Sequence, residues 1–162
     1  MLNLSTQTKI IIGGAVLTIL LIVGISVLLS KNSPPSTSVP EDQIVTKNGL
    51  HWHPKADIYI KGEKQEFTDS IGLGAIHQPM HTHAEDYKDG VVHMEMQGVV
   101  TKDETRLERF FEIWGKEFSS TQIFEFKNST EAALKMLVNG KENSDFENYK
   151  MQDGDKIEIR YE

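Results

Sequence analysis

Val91-Val-His-Met-Glu-Met-Gln-Gly-Val-Val100, followed by Thr105-Arg-Leu-Glu-Arg-Phe-Phe-Glu-Ile-Trp114-Gly115, is the stretch where the hydrophobic period changes. The first half alternates with period two, so residues 91–100 read as a strand. Val91, His93 and Glu95 share one face, and Val92, Met94 and Met96 the other. In the second half Leu107, Phe110, Phe111, Trp114 and Phe118 recur at helical spacing. Residues 105–114 are therefore the main amphipathic helix, with an aromatic stripe that docks on a sheet. Thr105 with Glu108 has the form of a capping box, and Gly115 is a natural stop. One helix among many strand signals makes the folded part an α+β domain dominated by sheet.

The strand signals lie on both sides. In residues 56–67, Ile58 and Ile60 alternate with Asp57 and Tyr59, and Lys61-Gly62-Glu63 supplies a turn, which is a hairpin signature. Ile71-Gly72-Leu73-Gly74 reads as a loop able to approach other backbone closely. Asp89-Gly90 is a turn signal. After the helix, residues 122–126 read as a strand and 129–134 as a short helix capped by Ser129. Residues 135–138 form a strand that turns at Asn139-Gly140. Tyr149 opens a further strand, an Asp153-Gly154 turn follows, and Ile157, Ile159 and Tyr161 face inward from the last strand. Asn128-Ser129-Thr130 fits the glycosylation pattern of exported proteins.

Upstream of the domain, residues 10–29 run without a charge between Lys9 and Lys31. Twenty residues of helix span about 30 Å, the thickness of a bilayer's hydrocarbon core. The run reads as a transmembrane anchor. The alternative, a cleaved signal peptide, has a shorter apolar core and an Ala-x-Ala site that is absent here. Residues 1–9 are then a short cytoplasmic tail, since the positive charge near the first span stays inside. Residues 30–40, rich in Pro and Ser, form a stalk. Residues 41–162 form one domain outside the cytoplasm, so the chain is a single-pass protein of the cell membrane.

The chain has 162 residues, 17 basic and 24 acidic, with a net charge of −7. All the acidic residues follow Pro40, whereas Lys9 and Lys31 precede it, so the domain is more acidic than the whole. Such a surface excludes nucleic acid as a partner, because phosphates need a basic face. There is no cysteine, hence no disulfide framework and no thiolate.

All six histidines fall in residues 51–93: His51, His53, His77, His81, His83 and His93. Imidazole is the commonest protein metal ligand. In extended chain each His-x-His pair points its two rings the same way. If the loop between His83 and His93 closes a hairpin, His81 or His83 faces His93. Three imidazoles with an open position suit zinc or copper. The leading ligands are His81, His83 and His93, then His51 and His53, then His77. Glu95 is a further ligand, a partner orienting an imidazole, or a general base if the protein is an enzyme. Met80, Met94 and Met96 either add thioethers that favour copper or fill the core. A metal-binding module for storage, delivery or sensing leads. A metal-dependent hydrolase or oxidase using Glu95 follows, and then a surface interaction domain with structural histidines. No serine–histidine–carboxylate arrangement or phosphate loop supports another enzyme class.

The order His51-Trp-His-Pro54, Lys61-Gly62, Ile71-Gly72, Met80-His-Thr-His83, Gly90-Val-Val-His-Met-Glu95 and Leu107-x-x-Phe-Phe-x-x-Trp-Gly115 resembles an uncharacterised group of secreted or membrane-anchored prokaryotic proteins. The resemblance covers residues 51–115 and implies export and an important histidine cluster. Ala84 stands where that group has Asp, with Glu85 and Asp86 following, and Glu108 stands where it has Gly. The end of the chain, Val138-Asn-Gly140 and Asp153-Gly-Asp-x-Ile157, resembles the closing strands of small sulfur-carrier β-grasp proteins. It lacks their diglycine tail, which excludes carrier chemistry.

Overall fold

Ile157, Ile159 and Tyr161 are buried, and the residues between them are exposed or half-buried. That alternation sets the last strand at the centre of the main sheet. The computed structural model describes residues 15, 18–23, 25 and 39–162. The chain divides into two units, Met1–Ser38 and Val39–Glu162. In the first, residues 15, 18–23 and 25 are helical. Ile19, Leu20, Leu21, Ile22, Val23 and Ile25 are each more than half exposed. The rest of the anchor expected at 10–29, the tail at 1–9 and the stalk up to residue 38 lie outside the described residues. No helix among the described residues is long and apolar enough to cross a membrane.

The second unit carries thirteen short strands and one α-helix. They are β1 (Ile44–Thr46), β2 (Leu50–Trp52), β3 (Lys55–Ile60), β4 (Glu63–Gln65), β5 (Met80–His81), β6 (His93–Met96), β7 (Val100–Thr101), α1 (Leu107–Trp114), β8 (Phe118–Ser119), β9 (Gln122–Ile123), β10 (Phe126–Lys127), β11 (Leu134–Val138), β12 (Lys141–Glu142) and β13 (Lys156–Tyr161). The five-stranded main sheet has the order β12-β11-β13-β3-β4, with β13 parallel to β3 and the other pairs antiparallel. The β3–β4 hairpin turns at Lys61-Gly62, both with positive φ. That is the backbone two-residue hairpins favour. A second sheet, β2-β6-β5, is antiparallel throughout.

Ile58, Leu134, Met136 and Ile159 from the main sheet join Leu107, Phe110 and Phe111 of α1 in one core, to which β5 and β6 add Met80 and Met94. The aromatic stripe is core, as its period implies: Phe67 meets Phe110 at 5.0 Å and Phe111 stacks on Phe118 at 4.4 Å. Gly115, with φ 70°, ends the helix; its N–H reaches the Glu112 carbonyl and that of Lys116 reaches Phe111. This is a Schellman ending, which a left-handed glycine permits.

Four local expectations are corrected. The capping box does not form. Thr105 is buried and its hydroxyl donates to the Lys102 carbonyl at 3.1 Å, while Glu108 pairs with Arg106 at 2.8 Å. The helix start is sewn to the C-terminal segment instead, with Leu107 N–H on the Tyr149 carbonyl and Met151 N–H on that of Thr105. Residues 129–134 make no helix. Ser129 Oγ accepts from the N–H groups of Glu131 and Ala132, and Asn128 Oδ1 from that of Leu134. Side chains that compete for backbone bonds in this way favour loops. The strand at 122–126 is a hairpin, broken at Phe124, whose φ is 51°. Residues 91–100 are likewise interrupted between β6 and β7, at Gly98 with φ 70°.

Candidate metal centre

The second sheet supplies the site. On its outer face β6 presents His93 and Glu95, two residues apart. His81 on β5 is the register partner of His93, and His51 on β2 is the partner of Glu95. His53 and His83 extend the same alternation beyond the strand ends, and His77 lies on the approach to β5. The six rings form a continuous chain. Centroids are 4.4 Å apart for His77–His81, 4.8 Å for His81–His83, 4.4 Å for His83–His93, 4.8 Å for His93–His53 and 4.7 Å for His53–His51.

Local structure holds this face in register. Thr82, between His81 and His83, is buried; its hydroxyl donates to the Thr68 carbonyl and accepts the Ile71 N–H, both at 3.0 Å. The loop at 71–74 makes the close approach its glycines imply. Gly72 has φ +74°, and a Cβ there would run into the Met80 carbonyl and stand 3.2 Å from His81 Cβ. Its own carbonyl takes the Gln78 N–H at 2.8 Å. A larger residue at 72 would displace the strand that carries His81.

The donor atoms are close. His81 Nε2 lies 3.1 Å from His83 Nε2 and 3.4 Å from His77 Nε2. His51 Nε2 lies 3.2 Å from Glu95 Oε1. In a tetrahedral zinc site with bonds of about 2.0–2.1 Å, neighbouring donors stand about 3.3 Å apart. His81 Nδ1 is 3.2 Å from the Gln78 carbonyl; donating there leaves Nε2 as the free lone pair. Three sets bring ligand atoms within 4.8 Å of one another: His51, His53 and His93; His77, His81 and Glu95; His83, His93 and Glu95. The expected trio of His81, His83 and His93 is thus brought together as ring neighbours but divided between sets, with Glu95 in two of them.

The methionines leave the ligand set. Met80 and Met94 are register partners on the opposite face of the sheet, fully buried in the core, and Met96 packs against that core. A strand cannot turn residue 94 to the face of residues 93 and 95. Met94→Leu conserves volume and is expected to leave zinc and copper affinity unchanged in a competition titration.

Asp86 was not among the candidates. Its Oδ2 is 2.9 Å from His93 Nε2, and its Oδ1 is buried without a hydrogen-bond partner among the described residues. A carboxylate that holds one ring nitrogen fixes the ring and leaves the other, here Nδ1, free to ligate. Its only signal in the sequence was that it follows Ala84, where the resembling group has Asp. Asp86→Ala is expected to weaken metal affinity by about 10–100-fold, read by chelator competition, without changing stoichiometry.

Burial pushes the His81 imidazole below its ordinary pKa. The Gln78 carbonyl acts in the opposite direction, His77 and His83 lower it further, and Glu95 raises it. The neutral ring, the form that ligates, is therefore favoured in the fold. The unfolded chain protonates His81 at about pH 6.5, and the folded chain only at lower pH. The unfolded state thus binds more protons in that interval, and stability falls as pH drops below about 6.5. Urea denaturation at a series of pH values is expected to show this loss in the native chain and a flatter profile in His81→Gln.

A cleft of about 630 Å³ opens beside these groups, lined by His51, His77, Glu95, Gln78 and Gln97 among others. No family model, no curated protein and no solved structure matches the chain.

Proposed function

We propose that residues 39–162 are a metal-binding module held outside the cytoplasm by the N-terminal segment, and that the module stores, delivers or senses zinc or copper. The observation that carries this reading is the convergence of all six histidines and Glu95 on one face of the β2-β6-β5 sheet. With the thioethers in the core, the donors are nitrogen and oxygen alone, which suits zinc or Cu(II) and removes the argument for Cu(I). His51 and Glu95 are about half exposed, at 62% and 44%, so an ion there exchanges with solvent. The apolar core is complete on the other side of the sheet, so the fold does not depend on metal, and the ion is cargo or cofactor. The exposed apolar side chains of Ile19, Leu20, Leu21, Ile22, Val23 and Ile25 support membrane insertion. The strand order of the main sheet, with parallel central strands, supports a β-grasp frame.

A second reading is a metal-dependent hydrolase, favoured by the cleft beside Glu95. The test is a zinc and Cu(II) titration of the purified, tag-free full chain against a chromophoric chelator. Binding at micromolar affinity or tighter supports a metal site. No binding at that concentration leaves an interaction domain with structural histidines. Turnover of model ester or phosphoester substrates by the zinc-loaded chain decides between cargo and catalysis.

A further inference from the structure

We infer that the histidine face holds two ions, bridged by Glu95. This rests on the metal-binding reading and goes beyond it in number and arrangement. Two of the three donor sets, His77 with His81 and His83 with His93, take their third donor from the same carboxylate. One ion could not use all of these groups. His81 sits between His77 and His83 at 3.4 and 3.1 Å, yet His77 and His83 share no set. The nitrogens are therefore strung along the strand rather than gathered around one point.

A carboxylate has two oxygens and can give one to each ion. Two divalent ions about 3.5–4 Å apart are the spacing such bridged centres adopt, and their mutual repulsion requires an anionic bridge. Glu95 is the only carboxylate in the three sets. Asp86 adds a second negative charge behind His93. The two positions differ. The first, on His77, His81 and Glu95, opens on the cleft that His77 and Glu95 line. The second takes two half-buried rings, His83 and His93, with Glu95, and has no residue on that cleft apart from Glu95. An exchangeable ion beside a more enclosed one follows.

The probe is Co(II), with Zn(II) as the spectroscopically silent control, added to the full chain, to Glu95→Ala, to His77→Ala and to His83→Ala. None of these three side chains is buried, and circular dichroism checks that each variant folds. The native chain is expected to bind two equivalents and to show a spin-coupled Co(II) pair. His77→Ala and His83→Ala each keep one ion. Glu95→Ala abolishes the coupling and weakens the second equivalent at least about tenfold, of the order seen when a group supporting a metal site is lost. One equivalent in the native chain overturns the two-ion arrangement and leaves the metal reading standing. Two equivalents that survive uncoupled in the native chain, or stay coupled in Glu95→Ala, overturn the bridge. No Co(II) or Zn(II) bound overturns both.

Discussion

Phe110→Ala is expected to lower the unfolding free energy of the domain by about 3–5 kcal/mol, seen as a large drop in the urea midpoint at unchanged slope. Phe110 is fully buried, and its ring stands 5.0 Å from Phe67 and 6.1 Å from both Phe111 and Trp114. Removing it leaves a cavity in the core that α1 shares with Phe67 and with buried residues of both sheets. A domain of this size has about 5–15 kcal/mol in total, so the change takes a large part of the whole. The site lies on the opposite face of the β2-β6-β5 sheet, whose inner face adds Met80 and Met94 to the same core. Folded molecules of the variant should therefore still bind zinc, with an affinity close to native when measured well below the midpoint. A loss under about 1 kcal/mol would mean that the aromatic stripe is not the core of this domain.

The double replacement His77→Ala with His83→Ala has the larger functional effect. Zinc sites of four ligands provide about 10–16 kcal/mol, or about 3 kcal/mol for each ligand. Every 1.4 kcal/mol is tenfold; His77 and His83 belong to different donor sets, so each position loses one ligand and zinc binding at each is expected to weaken about a hundredfold. His77 is exposed and His83 half-buried. Surface replacements cost within about 0.5 kcal/mol, and the apo chain should melt nearly as before. A chelator competition beside a thermal melt reads both. Native affinity in the double variant would place the ion elsewhere; a collapsed melt with it would make these histidines structural.

The two periods of residues 91–115 carried most of what was legible. Leu107, Phe110, Phe111 and Trp114 report burial directly through their spacing, and burial is what ordered them. The strand faces of Val92, Met94, His93 and Glu95 were legible for the same reason. Met94, kept among the candidate ligands on its thioether, stands on the face opposite His93 by the same alternation. The ends of elements were less legible, because partners distant in sequence decide them. Leu107 N–H bonds to the Tyr149 carbonyl, and nothing near Thr105 encodes that. The turn at Phe124-Glu125 lacks the Gly or Asn that marks a hairpin. Within the site, each His-x-His pair was readable locally, and the facing of His81 and His93 followed from the hairpin between them. The pairing of His51 with Glu95 comes from strand order, which local pattern does not carry. Asp86 reaches His93 only through the fold of the loop between β5 and β6.

In the proposed function an ion sits on the imidazole face of the second sheet. Zinc-edge X-ray absorption of the loaded full chain tests it most directly, because the spectrum reports the ligand atoms themselves. The expected result is a shell of nitrogen and oxygen at about 2.0–2.1 Å with the outer-shell scattering of at least two imidazoles for each zinc. A sulfur shell at about 2.3 Å, or an oxygen shell without imidazole scattering, would contradict it.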